Sequence, residues 1–271
     1  MGEHFAAFSF VDRITEFEAG VKASGRFAVP SDVAAFPACL VAEAVGQLAA
    51  WVAMDRIAFR GRPVAALANQ TRFHGEVRPG DTLELGVAIE HCDDEAVAYA
   101  GWARVEGRLV IELEDCLGPM LPVEDFDSPS ALAERLALLR GPGAEPGRFH
   151  GVVAPRIVDR AAVDDDSITA TLEVPSTAPF FGDHFPRRAV FPATLLLDAQ
   201  IALALQIAAP GERPARMTHV KMRSFIAPGD VLQIAARRAA DAPQRILLSA
   251  QAASGRTVAT ARLELDRRNP A

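Results

Sequence analysis

The hydrophobic and polar positions fall into the same succession of elements twice along the chain. From Phe36 to Met54 the residues are apolar or small on nearly every side, interrupted in the middle only by Glu43 and Gln47. A helix that is apolar all round must be wrapped by other structure. The pattern therefore predicts one long buried helix, opening near Pro37, which a first turn tolerates, and running to about Phe59. Beyond it, apolar and polar residues alternate over Asp81–His91, Val97–Val105 and Leu109–Leu113, separated by Asp-Asp and Glu-Gly turn signals. Alternation of period two marks strands with one buried face, and these read as an antiparallel meander. A central helix held by a curved antiparallel sheet is an α+β arrangement.

Self-similarity divides the chain. Val11-Asp12-Arg13 recurs as Val158-Asp159-Arg160, and Val29-Pro30-Ser31 as Val174-Pro175-Ser176. The helix opening Phe36-Pro37-Ala38-Cys39-Leu40 recurs as Phe191-Pro192-Ala193-Thr194-Leu195, Pro79-Gly80-Asp81 as Pro228-Gly229-Asp230, and Gly107-Arg108 as Gly255-Arg256. Matched landmarks in one order over more than a hundred residues imply duplication. We read residues 1–117 as a first domain, 118–150 as a linker and 151–271 as a second domain. In the linker Ser128 is placed to cap, and Pro129 to open, a short helix ending near Arg140; the run Gly141-Pro142-Gly143-Ala144-Glu145-Pro146-Gly147 then breaks it and is expected to be a flexible loop.

Composition narrows the function classes. Half of the 271 residues are hydrophobic and 23% are charged, which excludes disorder as the dominant state. With 28 Lys and Arg against 35 Asp and Glu, the net charge of −7 argues against a general nucleic-acid binder. Cys39, Cys92 and Cys116 are odd in number and lack paired short spacing, so neither a disulfide framework nor a metal site is expected and a reducing cytoplasm fits. No basic segment leading into an apolar run follows Met1, so no secretory signal is expected. Glu43 and Gln47 make the apolar stretch a buried helix of a soluble protein rather than a membrane span.

The segment Phe180-Phe181-Gly182-Asp183-His184-Phe185-Pro186, with Val190, Pro192 and the acid Asp198 after it, resembles the active-site stretch of the hot-dog-fold 3-hydroxyacyl-acyl-carrier-protein dehydratases. Val158-Asp159-Arg160 upstream and Val220–Phe225 leading into Pro228-Gly229-Asp230 downstream are similar to the same pattern, as are Val11-Asp12-Arg13, Pro37–Leu40 with Glu43 and Gln47, and Arg72–Asp81 in the first copy. The resemblance implies a double hot dog acting on a 3-hydroxyacyl thioester of acyl carrier protein or coenzyme A, with no cofactor. Eliminating water from such a thioester needs a base for the C2 proton, an acid for the departing hydroxyl and donors for the carbonyl. His184 is implied as base and a helix carboxyl as acid, its pKa raised if it is desolvated. The free N–H groups opening the helix, at Ala38 and Cys39, are candidates for the carbonyl. Gly182 supports the loop. The sequence departs from the family at Ala38 and Ala193, where glycine is usual, and at Asp183 before the histidine.

The copies are unequal. Residues 177–191 separate Ser176 from Pro192, whereas only residues 32–36 separate Ser31 from Pro37, so the first copy lacks the ten residues that would carry a histidine. In the resembled family the histidine of one hot dog works with the acid of the other. His184 is thus expected to face Glu43, with Gln47 one turn on, while Asp198, followed by Ala202, is expected to be vestigial. Other readings stay open: a hot-dog thioesterase using Glu43 to activate water, a non-catalytic docking module of a fatty-acid or polyketide assembly line, and further homo-oligomerisation. His74, His91, His150 and His219 lack ligand spacing and read as surface or packing residues. Lys221, Arg223, Arg187 and Arg188 are a candidate basic rim for an acidic carrier or an ordinary solvated cluster. Cys39 is also readable as a packing residue.

Overall fold

A computed structural model describes residues 5–267. The first copy contains β1 (Arg13–Glu18), β2 (Lys22–Ala28), α1 (Ala38–Arg56), β3 (Gly61–Pro63), β4 (Leu67–Phe73), β5 (Thr82–Cys92), β6 (Ala96–Val105) and β7 (Arg108–Pro122). After α2 (Pro129–Arg140) the second copy continues with β8 (Arg156–Asp164), β9 (Ser167–Glu173), α3 (Ala193–Ala204), β10 (Glu212–Met222), β11 (Val231–Ala239), β12 (Ala242–Ala252) and β13 (Thr257–Arg267).

All the strands join one antiparallel sheet. From one edge the order is β1-β2-β5-β6-β7-β4, and from the other β8-β9-β11-β12-β13-β10, so the halves share one strand order; β3 lies off this path, paired with β7, and has no counterpart among the described strands of the second copy. The halves meet where β4 pairs β10, with Thr71 opposite Met217 and Ala68 opposite Val220. On this seam Arg72 bonds Glu112 and Glu114, and Arg216 bonds Glu264 and Gln70. These pairs are partly solvated and add little stability singly.

The α+β expectation holds, and each half wraps its own helix. Two glycines admit close packing: a Cβ on Gly86 would lie 2.4 Å from the ring of its cross-strand partner Trp102, and one on Gly101 would lie 2.5 Å from Val45 Cγ1 of α1. The 19 residues of α1 are long and apolar enough to cross a membrane, but 61% of its apolar window is buried, as in a core helix.

Three boundaries differ from the sequence expectation. The first helix stops at Arg56 rather than Phe59, because Ala58 and Phe59 turn left-handed (φ 52° and 57°). Their N–H groups return to Asp55 O at 3.0 Å and Met54 O at 2.8 Å, a Schellman closure made without glycine. The strand expected to end at Leu113 continues as β7 to Pro122, crossing the domain boundary drawn at 117. At Gly118 a Cβ would lie 2.6 Å from Val64 O, so glycine is what admits the segment around β3 alongside β7. The glycine-rich run after α2 is tied down at Ala144, whose N–H donates to Asp12 O at 2.7 Å. Phe149 beyond it is buried against Phe10 and Phe36. In α2 itself, Ser128 Oγ accepts from Ala131 N at 3.5 Å with Pro129 in the first turn.

Candidate active site

Glu43 and Gln47 lie one turn apart on α1 and so share a face. Gln47 Nε2 donates to Glu43 Oε1 at 3.1 Å and to Phe8 O at 2.9 Å, while Gln47 Oε1 accepts from Phe10 N at 2.8 Å. The amide thus fixes one carboxyl oxygen and ties it to the segment before β1. The other oxygen, Oε2, accepts from Thr194 Oγ1 at 3.0 Å. Thr194 stands in the first turn of α3, so the carboxyl bridges the two copies. Glu43 is half-buried rather than sealed among apolar side chains, and both its oxygens have partners.

His184 comes just after a single 3₁₀ turn, Pro179–Gly182. Its Nδ1 is 3.1 Å from Val190 O. A carbonyl only accepts, so Nδ1 carries the proton and Nε2 keeps its lone pair. The ring lies 5.2 Å from Phe8 and 4.3 Å from Phe185. Burial holds the imidazole pKa below the ordinary histidine value; Glu43 and the Val190 carbonyl oppose this, Arg62 adds to it, and Asp183 opposes it.

His184, Glu43, Gln47 and Cys39 line one cavity of about 240 Å³. Ala193 and Thr194, which open α3, line it as well, while Ala38 does not. Both helix openings therefore border this cavity, α1 through Cys39 and α3 through Ala193 and Thr194. Ala42, Gly46, Ala50 and Met54 on α1, with Tyr99 and Leu113, give the cavity an apolar lining. Asp198 does not line it; burial raises its pKa. Cys39, the counterpart of Thr194, is buried, and its thiol is pushed well up by burial and then by the Asp198 charge. Gly182 is exposed, without a left-handed backbone, and open space surrounds its Cβ position, so nothing in the fold demands glycine there.

Sequence reasoning missed three residues around the site. Thr194 was marked only by its place in the repeat. Asp183, 4% exposed, accepts from Phe8 N at 2.7 Å, from Ser9 Oγ at 3.1 Å and from Phe5 N, clamping the chain's first described residues over the loop. Arg62 enters the cavity wall paired with Asp127, and no local motif announces a partner 65 residues away. Among the described residues no His, Cys, Asp or Glu cluster fits a metal ion, and the three cysteines are free.

Two wrapped helices under one continuous antiparallel sheet, with a histidine and a carboxyl lining a cavity between them, define the double hot-dog class. Residues 4–114 match the family model of the FabA-like domain, and residues 160–262 match the ApeI-like model, ApeI dehydratase. The 3-hydroxyacyl-[acyl-carrier-protein] dehydratase FabZ of Bacillus velezensis is 35% identical over 122 residues, spanning 41% of this chain and 86% of its own length. FabZ of Streptococcus thermophilus is 33% identical over 101 residues, spanning 35% of this chain and 70% of its own. The chain belongs to the 3-hydroxyacyl-acyl-carrier-protein dehydratase family, hot-dog hydro-lyases.

Solved structures extend the likeness of fold over nearly the whole chain. An acyl-ACP thioesterase from Bacteroides thetaiotaomicron superimposes with a TM-score of 0.57 at 9% identity, covering 90% of this chain and 98% of that one. A fusion DH domain does so with a TM-score of 0.51 at 18% identity, covering 98% and 95%. At these identities the likeness is one of fold alone.

Proposed function

We propose that the protein dehydrates a 3-hydroxyacyl thioester, carried by acyl carrier protein or coenzyme A, to the trans-2-enoyl thioester at a single composite site. The loop of the second copy supplies His184 and the helix of the first supplies Glu43. The observation that carries this reading is that these two side chains, from different copies, line one cavity that Asp198 does not reach.

The chemistry is built from the local geometry. Val190 O fixes the proton on Nδ1, so Nε2 is the atom that takes the C2 proton. Negative charge developing on the thioester oxygen is met by the N–H groups that open α3 at Ala193 and Thr194. Glu43, in its protonated form, delivers a proton to the C3 hydroxyl, which leaves as water. Gln47 and Thr194 hold the carboxyl in place for that transfer. The acyl tail lies along the apolar lining, where Ala42, Gly46 and Ala50 present small side chains from α1. No step calls for a metal or an organic cofactor. The three free cysteines accord with a reducing cytoplasm as its setting.

Incubating the protein with a panel of 3-hydroxyacyl thioesters should generate the enoyl chromophore, and His184→Ala should abolish it. Free thiol released without enoyl product would replace this reading with thioester hydrolysis. Absence of both reactions across the panel would replace it with a docking role.

A further inference from the structure

The His184 loop belongs to the second copy, yet much of what holds it comes from elsewhere. Arg62, the middle residue of β3, bonds the Asp127 carboxylate, and its guanidinium lies over the Phe185 ring at 4.8 Å. Asp127 has a side chain only 2% exposed and stands just before the cap of α2. Its neighbour Phe126 packs on the same ring at 5.0 Å, and Phe126 O accepts from Arg187 N at 3.0 Å. Glu124 O accepts from Arg187 Nη1 at 3.0 Å. Phe185, directly after His184, is left-handed with φ 65°, a conformation that a bulky residue keeps only where its surroundings enforce it. A buried ion pair is weak evidence for stability, because desolvation offsets most of its attraction. Here it sits against the strained residue beside the imidazole.

We propose that the Arg62–Asp127 pair is a positioning device for His184: by trapping the Phe185 ring it aims the imidazole at Glu43, and it makes the linker segment 123–127 part of the active site. The inference rests on the reading of His184 as the base. The charged groups acting on the imidazole are Glu43 from α1, Arg62 from β3 and Asp183 from its own loop, with Asp127 acting through Arg62. Arg62 is the cation among them, so removing it raises the pH at which His184 takes up a proton, whereas removing Asp127 lowers it.

The test uses the full chain with Arg62→Gln, Arg62→Lys, Asp127→Asn and His184→Ala, comparing kcat, KM and the acid limb of kcat/KM. Arg62→Gln should lose about tenfold to a hundredfold in kcat, as expected for a small misplacement of a reacting group, with KM held within about twofold and the acid limb moved to higher pH. Arg62→Lys should return the limb to its place and recover only part of kcat, since an ammonium does not reproduce the planar stacked guanidinium. Asp127→Asn should lower kcat with the limb moved to lower pH. Variants that melt earlier but keep wild-type kcat per folded molecule and an unmoved limb would overturn the proposal, leaving the pair merely structural. If Arg62→Gln does not fold, Arg62→Lys decides: reduced kcat at an unmoved limb supports positioning, and wild-type kcat rejects it. Dehydration surviving in His184→Ala would instead sink the base assignment itself.

Discussion

Individual side chains in this protein take their properties from partners far away in sequence. That Glu43 and His184 would border one cavity was legible, His184 from the resemblance of its loop to the family's and Glu43 from the repeat that aligned the two helices. Thr194 on Glu43 and Phe8 on Asp183 were not, since those partners lie 151 and 175 residues apart and only the packing of the two copies brings them together. Asp12 shows the same dependence in its titration. The Val-Asp-Arg triplet marked it as a landmark but not as a buried acid. Burial raises its pKa to about 6 from 3.8, against the opposing bond from Ala28 N at 2.7 Å and the Arg135 charge. The folded state then binds this proton more tightly than the unfolded chain does. The associated stability is fully present below the unfolded value and is lost as pH rises through about 6. Asp12→Asn cannot ionise, so its melting temperature relative to wild type should climb between about pH 4 and about pH 8. A difference that stays constant over that range would contradict the assignment.

Among the helices and strands, periodicity located the core helix and the meander, while their ends were set by contacts the pattern does not carry. The left-handed closure at Ala58 and Phe59 uses residues with no turn signature, and β7 outruns its reading into the stretch taken as linker, where Gly118 admits the close approach of Val64. α3 contains a local conflict of another kind. Gln200 is fully buried, and neither its Oε1 nor its Nε2 has a hydrogen-bond partner among the described residues. A buried amide left unsatisfied costs about 1–3 kcal/mol. Gln200→Leu, similar in size and apolar, should therefore raise stability by roughly that amount in urea or thermal denaturation. A drop instead would mean that the amide is paired and contributes to the fold.

Across the chain as a whole, duplication was readable from landmarks in common order, and the sheet carries it out with two halves of the same strand order meeting at β4 and β10. The loss of ten residues from one copy was readable by counting. The linker's contribution was not, because residues 118–128 look like a connection in sequence and reveal their packing on the His184 loop only in three dimensions. The proposed function assigns the two halves different parts within one structural frame: Glu43 and His184 line a shared cavity that Asp198 does not. The most direct test of this asymmetry is to measure kcat/KM for dehydration in Glu43→Gln and Asp198→Asn side by side. Glu43→Gln should lose about a hundredfold to ten-thousandfold, the usual worth of a general acid, while Asp198→Asn should stay within about threefold of wild type. Comparable losses in both variants, or full activity in Glu43→Gln, would contradict a single composite site.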